Sequence, residues 1–219
     1  MALTPAAIAE TELSNSSESL TTRFDPGPQA ASLGATDAPV VVVEFVDYRC
    51  GFCARQARAA FDEIRTRYID KGLVRYFAVD VPLLGPEAVH DAIVARCAGA
   101  QGRYWAVHRA LLIDTEFPRE ERTDLERLAR ATGLDRERLT ACVGSGEQQM
   151  PLDEGMARAL AHRVDATPVF FFGYPIPDTH AMTIERHLVG AVGTAPVMDA
   201  IEALLSSLRV RQQRLRMDR

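Results

Sequence analysis

The sequence predicts an α/β fold in which one sheet is interrupted by a block of helices. Three observations carry this expectation. Residues 40–46 (VVVVEFV) form a β-branched and aromatic run, followed by a polar break at 47–49 and an amphipathic helical pattern over 54–68. Residues 73–81 repeat the strand pattern. After a long helical region, residues 168–173 (PVFFFG) and 183–191 return to strand and 195–208 to helix. A chain that opens strand, helix, strand and closes strand, strand, helix makes one sheet if the helical block leaves and returns at the same edge.

In chain order, residues 1–37 are rich in Ser, Thr, Ala, Gly and Pro, with a Pro-Gly-Pro breaker at 26–28, and predict a largely flexible extension. A short docking helix over residues 6–13 is the alternative. Residues 38–82 hold the first strand, helix and strand. On the helix, Ala57, Phe61, Ile64 and Tyr68 line one face while Arg55, Arg58, Glu63, Arg65 and Arg67 take the others. Residues 83–164 predict an inserted helical subdomain of four or five helices, punctuated at Gly85-Pro86, Gly102, Pro118, Gly133 and Gly144, with Trp105, His108, Leu111 and Leu112 on one apolar face. Nothing in it repeats at a fixed period, so a solenoid is not indicated. Residues 165–208 close the fold, with a turn over 174–178, and 209–219 form a basic tail with five arginines. That tail reads as a solvated helix end whose charge suits the negative end of the helix dipole.

Composition narrows the function. With 219 residues, 47% of them hydrophobic, the chain can bury a sizeable core. A net charge of −5 argues against a nucleic-acid surface, which needs a basic face. No apolar run approaches the ~18 residues of a membrane span. Residues 1–20 have neither the basic start nor the apolar core of a secretory leader. The chain is therefore cytoplasmic, or its leader lies outside this sequence. Of the four cysteines, Cys97 and Cys142 are an even remainder that could bond, pointing to an oxidising, extracytoplasmic compartment, or could remain two buried thiols.

Cys50 and Cys53 form a Cys-x-x-C pair at the junction of strand and helix. Unpaired N–H groups and the positive end of the helix dipole favour a thiolate there, which makes Cys50 the candidate nucleophile. Arg49 adds positive charge in the same direction if its side chain faces the sulfur. Cys53, one turn further in, is expected to be more buried and to resolve the mixed disulfide. Glu44 is the one charged residue in its strand and is either an outward-facing residue or a buried carboxylate. A zinc site would need a second compact ligand pair, whereas Cys97 and Cys142 are isolated on different predicted helices and the five histidines are dispersed, so no metal is expected.

A Cys-x-x-C at a strand-to-helix turn, a helical insertion and Thr167-Pro168 opening a strand together resemble the thioredoxin-like fold, and specifically the DsbA family of bacterial thiol-disulfide oxidoreductases. The resemblance covers about residues 33–205, including LGATDAPVVVVEF, RCAGAQGRYWAVHRALL and VDATPVFFFG. It implies a cis Thr167-Pro168 bond facing the cysteines, and Glu44 buried beneath them, where it exchanges a proton with Cys53. It also implies substrate contacts from Thr167, Pro168, Gly51 and Phe52, and a structural bond between Cys97 and Cys142. The implied partners are cysteine-containing polypeptides and a redox partner protein; no organic cofactor is implied. Gly51-Phe52 departs from the family's best-known oxidase, which has Pro-His between its cysteines. Gly followed by an aromatic, and Thr before the proline, are closer to the disulfide isomerases, so oxidase, isomerase and reductase all stay open.

Overall fold

The computed structural model describes residues 22–114 and 124–217. Its main sheet has five strands in the order β2 (Ala31–Leu33), β4 (Val74–Asp80), β3 (Val40–Val46), β5 (Val169–Gly173) and β7 (Arg186–Val189). β3 is central, parallel to β4 and antiparallel to β5, and all seven of its residues are buried. A strand covered on both faces has no solvent side to mark with polar residues, which explains the unbroken valines. Val40 and Val42 pack with α1 (Gly51–Ile64) and α7 (Thr194–Met217), while Val41, Val43 and Phe45 face the opposite layer. Strand alternation therefore puts Glu44 on the α1 side.

Among the described residues, five helices run between β4 and β5: α2 (Pro86–Gly99), α3 (Tyr104–Leu112), α4 (Leu125–Thr132), α5 (Arg136–Ser145) and α6 (Gln149–Ala161). α4 and α5 start at aspartates, Asp124 and Asp135, whose side chains accept from the N–H of Arg127 and Arg138. They end at Gly133 and Gly146, both in the left-handed region that a side chain disfavours. Gly146, not Gly144, stops α5. These helices share a core with the start of α1 that includes Cys50, Cys53, Val94, Leu111, Leu128 and Leu139.

One expectation needs correction. Residues 22–37 are not a flexible extension: β1 (Arg23–Phe24) pairs with β6 (Met182–Thr183), and β2 joins the main sheet against β4. Phe24, fully buried, meets the rings of Phe45 and Phe171 edge-on at 5.1 and 5.5 Å. Burying one phenylalanine contributes about 2 kcal/mol, enough to hold a two-residue strand in place. The docking helix over residues 6–13 lies outside the described residues, as does Pro118. The helix predicted over 195–208 runs on to Met217, so the basic run is its solvated end, as read from the sequence, with buried positions stopping at Leu205. Among the described residues no helix is long and apolar enough to cross a membrane.

Candidate active site

Cys50 is the N-cap of α1, and Cys53 lies on its first turn. Their thiols are free, with Cys50 7% exposed and Cys53 fully buried. The turn that presents them is clamped by Asp47. One of its carboxylate oxygens accepts from the Arg49 N–H at 2.7 Å and the other from the N–H groups of Leu83 and Leu84 at 2.8 and 3.0 Å. Sequence reasoning treated Asp47 as part of a polar break. Asp at the first position of a turn, two residues before the N–H it accepts, was the signal to follow.

Thr167-Pro168 is cis and lies across from the cysteines; the Cys50 thiol donates to the Thr167 carbonyl at 3.3 Å. Pro168 is buried and its carbonyl accepts from the Gly190 N–H at 2.8 Å, so the backbone left for another chain is that of 165–167. Gly51 and Phe52 are exposed, Phe52 to 58%, beside the buried Cys53. The Arg49 guanidinium forks onto Asp91 of α2, at 2.6 and 3.1 Å, so a buried carboxylate balances its charge.

Beneath the pair, Glu44 is 1% exposed and accepts from the Tyr76 hydroxyl at 2.8 Å. Burial pushes its carboxyl up to about 7, with the Tyr76 hydrogen bond pulling the other way. Burial also pushes the Cys53 thiol far up; the backbone at Asp47 and the Thr167 side chain oppose this, while Glu44 and Cys50 add to it.

His108, one face residue among several in the sequence, is fully buried next to Glu44. Its Nε2 lies 3.9 Å from Glu44 Oε2, within ion-pair range, yet burial pushes the imidazole down to about 3. With Glu44 raised and His108 lowered, the neutral pair wins over the charged one. The imidazole Nδ1 is 3.3 Å from the Tyr48 hydroxyl, which donates to the Tyr104 hydroxyl at 2.9 Å. Tyr104 in turn donates to Asp80 at 2.6 Å. Tyr104 and His108 are four apart on α3 and so share a face, a spacing that could have flagged them. Among the described residues no group of three or more His, Cys, Asp or Glu is placed to hold a metal ion.

Cys97 of α2 and Cys142 of α5 form a disulfide, with Cα atoms 5.8 Å apart. It lies in the helical core, away from the Glu44 pocket.

A thioredoxin family model matches residues 27–182. The chain is 32% identical over 144 residues to a Na(+)/H(+) antiporter NhaA of Herminiimonas arsenicoxydans, covering 63% of this chain and 21% of the antiporter. It thus spans about a fifth of the length of the curated relatives it matches. Among solved structures, alpha-DsbA1 of Wolbachia pipientis superposes with a TM-score of 0.73 at 22% identity, covering 85% of this chain and 96% of that one. A thioredoxin-like oxidoreductase of Silicibacter pomeroyi DSS-3 gives 0.67 at 27% identity, covering 82% and 94%. The fold is thus the thioredoxin-like sheet with a helical insertion.

Proposed function

The chain belongs to the thioredoxin family, and from that premise we propose that it is a thiol-disulfide oxidoreductase of the DsbA type acting on cysteines of polypeptides. The observation that carries this reading is the seat of Cys50: at the start of α1, its sulfur toward the Thr167 carbonyl, with buried Cys53 and Glu44 behind it. In the oxidising direction a substrate thiolate attacks Cys50 of the Cys50–Cys53 disulfide, and Cys53 leaves as a thiolate that takes a proton from Glu44. A second substrate thiolate then displaces Cys50, releasing the oxidised product and the dithiol. In resolution the steps reverse: Glu44 takes the Cys53 proton and the Cys53 thiolate attacks the mixed disulfide. An extended substrate would lie along backbone 165–167, as in strand addition, with Phe52 flanking it.

In this reading residues 38–82 and 165–208 are the two halves of one thioredoxin domain and 83–164 its insertion. The substrates are exported polypeptides in an extracytoplasmic compartment, and a separate redox protein resets the pair. The exposed Gly51-Phe52 supports the isomerase as the second reading. The reduction potential of Cys50–Cys53 sets the direction: about −120 mV belongs to a strong oxidase, about −180 mV to a disulfide isomerase and about −270 mV to a reductase, and an intermediate value is expected.

Insulin reduction and refolding of a scrambled substrate test the enzyme itself. Cys50→Ser should fall to the uncatalysed rate in both assays. Equal rates for wild type and Cys50→Ser would remove the basis of the proposal.

A further inference from the structure

The hydroxyls of the buried polar chain beneath the cysteines point toward Asp80: Tyr48 donates to Tyr104, Tyr104 donates to Asp80, and Asp80 also feels the Tyr48 hydroxyl. His108 Nδ1, 3.3 Å from Tyr48, is then the donor to the Tyr48 oxygen, which leaves Nε2 unprotonated. That Nε2 has no hydrogen-bond partner, is fully buried, and faces Glu44 Oε2 at 3.9 Å. A buried acceptor without a donor destabilises the fold, so its presence asks for a role. Across the gap stands the one carboxyl able to supply a proton.

We propose that His108 accepts the proton of Glu44, and that His108, Tyr48, Tyr104 and Asp80 carry the Cys53 proton along the helical side of the sheet to Asp80 at the end of β4. The proposal rests on the reading of Cys50–Cys53 as an exchanging pair. During resolution the Cys53 S–H breaks and its proton goes to Glu44. Glu44 gives a proton to His108 Nε2 while Nδ1 releases one to Tyr48, Tyr48 passes one to Tyr104, and Tyr104 passes one to Asp80. The net result is a Cys53 thiolate and a neutral Asp80; the thiolate attacks the Cys50 sulfur and the substrate leaves as its thiolate. No oxidant or other reactant enters. The gap to Glu44 exceeds a hydrogen bond, so the transfer requires the two side chains to approach.

The groups facing this chain are Glu44 from β3, Tyr76 and Asp80 from β4, Tyr48 from the turn, Cys53 from α1, Arg96 from α2 and Tyr104 from α3. Burial raises all three tyrosines, so each remains a donor. Burial also raises Asp80, against the pull of Arg96 at 3.4 Å, which suits a carboxylate that must take up a proton. The outlet is present at that end. Asp80 and Arg96 line a cavity of about 20 Å³, and Arg96 and Tyr104 line an open one of about 470 Å³.

The test is single-turnover resolution of a mixed disulfide preformed at Cys50 with a cysteine peptide, followed against pH in the full chain. Tyr48→Phe removes the hydroxyl that faces His108 Nδ1 and breaks the chain there; His108→Gln removes its head. Both should resolve about tenfold more slowly near neutral pH, with the profile displaced to higher pH, while alkylation of Cys50 in the reduced protein stays within about twofold of wild type. A purely structural role would lower the melting temperature and leave the profile in place. If His108→Gln does not fold, Tyr48→Phe decides alone. Wild-type resolution and pH profile in Tyr48→Phe would overturn the relay while leaving the exchange reading intact. Failure of the wild type to release the peptide at all would overturn both.

Discussion

Cys50 and Cys53 are three positions apart on one helix and remain thiols, whereas Cys97 and Cys142 are 45 residues apart on two helices and are bonded. Burial does not separate the pairs, because Cys50, Cys53 and Cys97 belong to the same apolar core with Cys142 packed against it. What separates them is access and proton handling. Cys50 caps a helix at a turn held by Asp47, beside the exposed Gly51 and Phe52, and Cys53 has Glu44 behind it. Cys97 and Cys142 lie inside helices, Cys97 with no exposure at all. Position at a helix start, more than depth, distinguishes Cys50 from the bonded pair.

The sharpest way to break this comparison is to delete the bonded pair. Closing a loop of 45 residues stabilises the fold by about 4 kcal/mol in the chain-entropy model. The double variant Cys97→Ala, Cys142→Ala should therefore melt about 10 °C lower. Its Cys50–Cys53 reduction potential should equal that of wild type. A shifted potential would show that the second pair passes electrons to the first, and the separation drawn above would fail.

A smaller effect, with a diagnostic pH dependence, comes from the acid under the reactive pair. Glu44 is raised to about 7, so between about 4.5 and 7 the folded state holds a proton that the unfolded state has lost, and stability falls as pH rises through that window. His108, lowered to about 3, works in the opposite sense: the unfolded state holds the extra proton between about 3 and 6.5, and stability rises with pH there. The two slopes cancel where the windows overlap. Glu44→Gln should expose the histidine slope, with stability climbing to about pH 6.5, and should gain roughly 3 kcal/mol over wild type at pH 8. Unfolding curves in urea at pH 4, 6 and 8 measure this. A Glu44→Gln protein with the wild-type pH profile would mean that Glu44 ionises as freely as a surface carboxylate.

The legible parts of the molecule were those encoded locally. The valine run, the Cys-x-x-C after it and the dense PVFFFG strand each announce themselves within ten residues, and Glu44 stood out as a charge in an apolar strand. Helix ends in the insertion were near their expected places because Asp and Gly caps act over one turn. What was missed depends on partners far along the chain. Phe24 reads as part of a Pro- and Gly-rich extension, and its burial is set by Phe45 and Phe171. Tyr48 and His108 lie 60 residues apart, on a turn and a helix whose packing no local pattern encodes. Whether the charge of Arg49 serves Cys50 could not be read locally, because its partner Asp91 is 42 residues on.

The mildest change that still bears on the comparison is Phe52→Ala. The bonded pair has no counterpart to Phe52, a large ring 58% exposed on the turn that carries Cys50. Leu83 and Leu84, exposed to 38% and 55%, are tied by their N–H groups to the same Asp47 that shapes the turn, so apolar surface gathers beside the reactive sulfur. The guanidinium of Arg55 sits 4.7 Å from the Phe52 ring centroid, a contact worth about 0.5–1 kcal/mol at an exposed site. Truncation should therefore change folding stability by about 1 kcal/mol at most. If the ring's exposed part is covered by substrate, losing about 1 kcal/mol of that burial raises KM about fivefold for a peptide with apolar residues flanking its cysteine. The chemical step should keep its rate, since Phe52 carries no group that moves a proton or an electron pair. Steady-state kinetics on two peptides, one apolar and one polar around the cysteine, give the answer. An unchanged KM for the apolar peptide would place substrate elsewhere on the molecule and leave Phe52 as an ordinary exposed ring.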